Sequence, residues 1–164
     1  MENILDKAVD EIKRYKSKII AELMEFAKTD LLLFWDDKPD LYLQQEKEWG
    51  PILTWVEQEL NIKLNKSCNL EVPNNTEFQN LLKMVLVNMP DKELACYYAA
   101  ALNMKSVLLA LALIKGRVDA ENASRLSYLD ELWQNNLWGI DEEAQARRAD
   151  RGNELKKIEG YLLR

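Results

Sequence analysis

The sequence predicts a mainly α, compact multi-helix domain with room for one small two-stranded β element. Three observations carry that prediction. Apolar residues recur at spacings of three and four along most of the chain, the period of a helix with one buried face. Acidic residues and glycines stand at the ends of these runs, as helix start and stop signals do. The chain has 164 residues, 48% apolar and 30% charged, enough for one domain with a real core. No repeat, low-complexity stretch or long linker divides it. It reads as a single unit over 1–164, with a long first helix over 1–28 and a helical core over 29–164.

Each element has its own reason. Ile4, Ala8, Ile12, Tyr15, Ile19, Leu23 and Phe26 form one stripe on the first helix, opposite Glu11, Lys13, Lys16, Lys18 and Glu22. The run LLLFW at 31–35 is unbroken and apolar, is stopped by Asp36, Asp37 and Pro39, and reads as a short buried strand in preference to the tail of the first helix. Asp40 is the expected N-cap of a helix over about 41–60, which Gly50-Pro51 should kink or split. Around that break cluster Trp49, Ile52, Trp55 and Val56. Residues 62–72 alternate enough to form a second strand pairing with 31–35. A helix follows over about 76–88, with Phe78, Leu81, Leu82, Val85 and Leu86 inward. Met89-Pro90-Asp91 breaks it, proline suiting a helix start. The next helix, about 91–115, is apolar around most of its circumference and should be the surrounded one. Gly116 ends it as a left-handed C-cap. Asp119 caps a helix with Leu126, Leu129, Trp133 and Leu137 on one face and Glu131 on the other. Gly139 ends that helix, and Asp141 caps a last one running to the C-terminus.

Composition narrows function. A net charge of −6 speaks against nucleic acid, which requires clustered Lys and Arg, and against an anionic membrane surface. The most apolar run, Ser106–Ile114, is far short of the roughly 20 residues needed to span a bilayer. There is no histidine, which removes the commonest general base and zinc ligand. Cys68 and Cys96 form no disulfide framework, and a reducing compartment fits them best. Cys96, on the apolar helix without a base beside it, reads as a core residue. No phosphate-loop, dinucleotide or metal-binding motif is present. The sequence therefore points to no enzyme, no cofactor and no metal site.

What remains is the stretch 126–148, LSYLDELWQNNLWGIDEEAQARR. It reads as a helix end, an aromatic joint and a fresh acidic helix start. Glu142 and Glu143 complement the dipole of that last helix. Arg147, Arg148 and Arg151 suit either a phosphate or partner carboxylate, or pairing along the helix with Glu143 and Glu154. A tryptophan exposed near Trp138-Gly139 would be a binding hot spot. The residues alone give an acidic helical domain that binds another protein.

The order TDLLLFW at 29–35, WGPILTW at 49–55 and VLLALALIKGRVDAENASRLSYLDELWQNNLWGIDEEAQARR at 107–148 resembles the ATP synthase assembly chaperones of the Atp-twelve type. The likeness covers about residues 20–163. Thr29–Leu32, then Trp49, Pro51, Leu53 and Trp55, then Gly116 and Asp119, then Leu129 to Gly139 carry it, and the last block is the most specific. The resemblance implies a chaperone that binds the free alpha subunit of the catalytic sector and shields the surface later presented to beta. It implies no cofactor and no nucleotide hydrolysis. The family's functional acid falls on Asp130 or Glu131, and with Gln134 and Trp138 these make the candidate partner-binding set. Family members carry an N-terminal β-rich domain before the long helix, and this chain starts at or within that helix. A monomer is expected, in the cytoplasm of a bacterium or the mitochondrial matrix of a eukaryote. The competing reading is a helical adaptor or regulator unrelated to ATP synthase.

Overall fold

The apolar period of the sequence becomes eight α-helices among the described residues of the computed structural model, which covers residues 2–164 and side chains from Leu5 onward. They are α1 (Glu2–Lys28), α2 (Pro39–Leu60), α3 (Thr76–Val87), α4 (Asp91–Met104), α5 (Val107–Ile114), α6 (Ala120–Ser127), α7 (Leu129–Trp138) and α8 (Glu142–Leu163). The α4–α5 pair sits at the centre. α4 packs on α1, α5 and α8, while α5 also meets α1, α2, α6 and α8. Residues 107–113 of α5 are all buried, as a helix apolar on every side requires.

The stripe on α1 is largely as expected: Ile12, Ile19 and Leu23 are buried, joined by Leu5, Ile20 and Ala27. The side chain of Ile4 lies outside the described residues. Tyr15 departs from the stripe. Its backbone leaves helical geometry (φ −125°, ψ 26°) and its ring is exposed. The break kinks α1 into two helical halves. The far end of the domain closes on the first half, where the Tyr161 hydroxyl donates to Asp6 Oδ1 at 2.6 Å.

The two expected strands do not form. Leu31–Leu33 is a single 3-10 turn, because the Asp30 carboxylate accepts from Leu32 N at 2.9 Å and caps it. The segments 31–35 and 62–72 do meet, through one parallel bridge between Phe34 and Ser67. Ser67 N donates to the Leu33 carbonyl (2.7 Å) and Trp35 N to the Ser67 carbonyl (2.8 Å). Beyond Ser67 the Asn69 side chain accepts from Glu71 N and from the Ser67 hydroxyl, turning the chain away before a ladder can grow.

Helix α2 starts one residue before the expected cap. Pro39 occupies the first turn, where its missing N–H costs nothing, and Asp40 sits in that turn without capping it. Pro51 lies inside an uninterrupted helix. The carbonyl it leaves without a partner belongs to Lys47, and both residues are exposed, so water can take the lost bond.

The expected single helix over 91–115 is two. Lys105 adopts the left-handed conformation (φ 58°) and Ser106 starts α5, its hydroxyl accepting from Leu109 N at 3.0 Å. The cause lies 76 residues earlier. The Asp30 carboxylate is fully buried and accepts from the Ser106 hydroxyl (2.8 Å) and from Leu108 N (2.9 Å). It thus holds the start of α5 and the turn after α1 together. Burial pushes its pKa up from 3.8 to about 6, against the lowering effect of the bonds from Leu108, Leu32 and Ser106.

The remaining punctuation is as the sequence predicts. Gly116 (φ 74°) closes α5 in a Schellman motif, with Arg117 N donating to the Ala112 carbonyl and Gly116 N to that of Leu113. Asp119 accepts from Asn122 N, and Asp141 from Glu143 N and Ala144 N. Cys96 is buried with its thiol pushed up to about 11 by desolvation, and Cys68 is exposed.

Candidate functional site

The helix expected from Asp119 to Trp138 breaks at Tyr128 (φ −110°, ψ 16°), which separates α6 from α7. Leu126 and Leu129 on either side of the break are buried. The Trp49 indole N–H donates to the Leu126 carbonyl at 2.9 Å. A buried indole thereby gains the partner it needs, and α2 fixes the point from which α7 departs.

From there α7 leaves the core. Leu129 is its one buried residue among those described. Trp133 is half-buried, as a scaffold residue would be. Leu137, expected inward, is 59% exposed, because the break at Tyr128 re-aims α7 and carries its second half past the end of the core. Trp138 is 82% exposed and Ile140 67%. The joint between α7 and α8 thus presents three large apolar side chains to solvent.

Asp130 and Glu131 face different neighbours, as adjacent residues on a helix must. Asp130 Oδ1 accepts from Gln45 Nε2 at 2.9 Å, and Gln45 Oε1 in turn accepts from Asp36 N at 2.8 Å. Gln45 is buried on α2, so one locked amide ties α7 to the segment after the 3-10 turn. Partial burial raises the Asp130 pKa, and the charge of Asp36 raises it further, against the Gln45 bond. Glu131 instead turns toward α8, where its Oε1 lies 2.8 Å from Arg148 Nη1 in an ion pair. The Asn135 amide, one turn on, fits with its oxygen toward Arg148 Nη2 (3.1 Å) and its nitrogen toward the Gly139 carbonyl (3.3 Å). Gln134 is exposed. Asp130, Gln134 and Trp138 recur every four residues and so share one side of α7.

Two of the three arginines pair away from α8 rather than along it. Arg148 pairs across to α7, and Arg151 Nη1 reaches the Tyr128 hydroxyl at 3.5 Å. Both fasten α8 to the α6–α7 break.

A cleft of about 360 Å³ opens beside Asp130. Asp36, Phe34, Leu31, Leu70 and Lys105 contribute to its walls, with Gln45 behind. Sequence reasoning did not find Gln45, Asp36 or Leu70. A signal for Gln45 existed: it occupies an apolar position in the stripe Leu41, Gln45, Trp49, Ile52 and Val56, all buried, where an amide survives only with partners.

Residues 1–57 match the family model described as ATP12 chaperone protein. Over 153 residues the chain is 22% identical to the mitochondrial protein atp12 of Schizosaccharomyces pombe, covering 87% of this chain and 53% of that protein. The fold matches the crystal structure of Atp12 from Paracoccus denitrificans with a TM-score of 0.89 at 29% identity, covering 94% of this chain and 67% of the other. The chain is similar to ATP12 chaperones in its first 57 residues and in its fold. An aspartate-to-lysine mutant of the Paracoccus Atp12 superimposes equally well, with a TM-score of 0.89 at 28% identity over 96% of this chain and 69% of that one. The chain spans about half the length of the curated ATP12 relative it matches.

Proposed function

We propose that this chain is the helical part of an ATP synthase assembly chaperone, one that holds the free alpha subunit until it pairs with beta. The observation that supports this most directly is the end of α7. In a chain similar to ATP12 chaperones, Leu137, Trp138 and Ile140 stand exposed next to helix-borne acids. An exposed apolar group rimmed by charge is what a transient protein interface needs. Asp130, Glu131, Gln134 and Trp138 are the proposed contact set. Trp138 anchors, Gln134 and Asp130 on the same side of α7 add polar contacts, and Glu131 sets the angle of α7 through Arg148. The chaperone works as a monomer, in the cytoplasm of a bacterium or in the mitochondrial matrix.

The test is suppression of aggregation. Purified alpha subunit from the source organism is diluted from denaturant with the wild-type chain or with the Asp130→Lys/Glu131→Lys double variant, and light scattering is followed. Wild type should suppress scattering. The double variant should lose that effect while its far-UV circular dichroism stays unchanged. Suppression that survives the charge reversal rules out the site. A wild-type chain that neither suppresses scattering nor co-purifies with alpha leaves the adaptor reading in its place.

A further inference from the structure

We infer that the cleft beside α7 receives a cationic side chain of the client, arginine or lysine, flanked by an aliphatic residue. This rests on the proposed chaperone function and specifies the chemistry of its partner. Two carboxylates face the cleft, Asp130 and Asp36. Each is already oriented from within. Asp130 accepts from Gln45, and Asp36 Oδ1 accepts from Lys38 N at 2.7 Å. Among the described residues neither makes an ion pair. Two like charges near one another in a partly dehydrated cleft repel, and a cation placed between them relieves that repulsion. The cleft's own cation, Lys105, contributes to the wall, is exposed, and pairs with neither acid. The cleft therefore keeps a net negative charge.

The apolar half of the specificity comes from Leu70. It is 88% exposed and holds a left-handed backbone (φ 67°), a conformation uncommon for a bulky residue. The Asn69 side chain, accepting from Glu71 N and the Ser67 hydroxyl, braces the turn on both sides of it. An apolar side chain is thereby held out in water beside two carboxylates, with Phe34 and Leu31 lining the same cleft. That arrangement fits the aliphatic stem of an arginine or lysine and an apolar neighbour, with the charged head reaching the acids. An acidic or purely apolar segment would leave the carboxylates dehydrated and unpaired, at a cost. Gln45 is a positioning residue: it touches no client and fixes Asp130 relative to Asp36.

The probe is a pair of ten-residue peptides with leucines flanking a central arginine in one and a central glutamate in the other. Each is titrated into the isotope-labelled chain and followed by amide chemical shifts. The arginine peptide should shift Asp36, Leu70, Lys105, Asp130 and the Gln45 side-chain amide, and the glutamate peptide should not. Asp36→Lys and Leu70→Ser should each weaken the arginine peptide on the order of tenfold, with an unchanged melting temperature for Leu70→Ser, whose side chain is exposed, and one lowered by only a few degrees for Asp36→Lys, which loses the bond from Lys38 N. An arginine peptide that does not bind, or shifts residues elsewhere, overturns the inference, as does equal binding of the glutamate peptide. The alpha subunit separates this from the chaperone reading. Peptide binding in the cleft without alpha binding keeps the cleft chemistry and removes the client. Alpha binding untouched by Asp36→Lys and Leu70→Ser keeps the chaperone and removes this cleft.

Discussion

The α4–α5 centre and the α7 arm answer the same question, how polar groups and apolar groups are satisfied, in opposite ways. At the centre every side chain of α5 from Val107 to Leu113 is enclosed, and one buried carboxylate, Asp30, accepts from Ser106, Leu108 and Leu32. Along α7, Leu129 alone is buried among the described residues. The helix is held by Gln45 at one acid and Arg148 at the next, and its apolar end faces solvent. Contacts are concentrated at the centre, while the segment proposed to bind a partner is anchored by few groups.

The comparison breaks most severely at Asp30. Asp30→Ala strands a hydroxyl and two backbone N–H groups in the core, each costing about 1–3 kcal/mol. A net loss of at least about 3 kcal/mol is expected in urea unfolding, without selective loosening of α7. A loss under about 1 kcal/mol would mean that water replaces the carboxylate. The same residue gives a pH signature. Its folded-state pKa, about 6, lies above 3.8, so the folded protein holds this proton more tightly. The stabilising contribution is full below pH 3.8 and is lost as pH rises through about 6. The shift is worth about 3 kcal/mol. Relative to Asp30→Asn, which cannot titrate, the wild type should gain stability from pH 7.5 down to pH 4. A difference independent of pH would place the ionisation elsewhere.

The α7 side breaks more gently. Arg148→Ala removes the pair with Glu131 and the contact to Asn135 from a largely buried guanidinium, a loss of about 1–2 kcal/mol. Hydrogen exchange should quicken in α7 while α4 and α5 keep their protection, and quickening throughout would mean that α7 and the centre are one cooperative unit. The smallest effect on stability belongs to Trp138→Ala, expected within about 0.5 kcal/mol because the ring is exposed. If Trp138 anchors a client, the same substitution should weaken client binding on the order of thirtyfold or more, the scale of a hot-spot side chain.

The sequence made local features legible and remote ones not. The stripe on α1, the caps at Asp119 and Asp141 and the stop at Gly116 depend on residues a few positions apart, and each stands where the pattern puts it. The split of the apolar run at Lys105-Ser106 depends on Asp30, which no local window contains. The 3-10 turn at Leu31–Leu33 has the same origin: an apolar run reads as a strand until a carboxylate beside it caps a turn. At the site, acids were visible in the LDELWQ block, but their division of labour was not. That Asp130 turns to Gln45 and Glu131 to Arg148 follows from where α2 and α8 lie. The sequence places Leu137 inward because the break at Tyr128 leaves no mark in composition: Tyr, Ser and Leu there are ordinary helix residues.

The bond from the Tyr161 hydroxyl to Asp6 joins the two helices farthest apart in sequence. During synthesis α1 emerges long before α8, and α1 also packs on α3, α4 and α5. Contacts spanning so much chain are slow to form, because a large loop must close before they contribute. Until α8 leaves the ribosome the outer side of α1–α4 has no cover. A protein proposed to protect another's unfinished interface therefore passes through an unfinished interface of its own. Its order of maturation, α1 first and α1–α8 closure last, can be read from arrest at successive chain lengths.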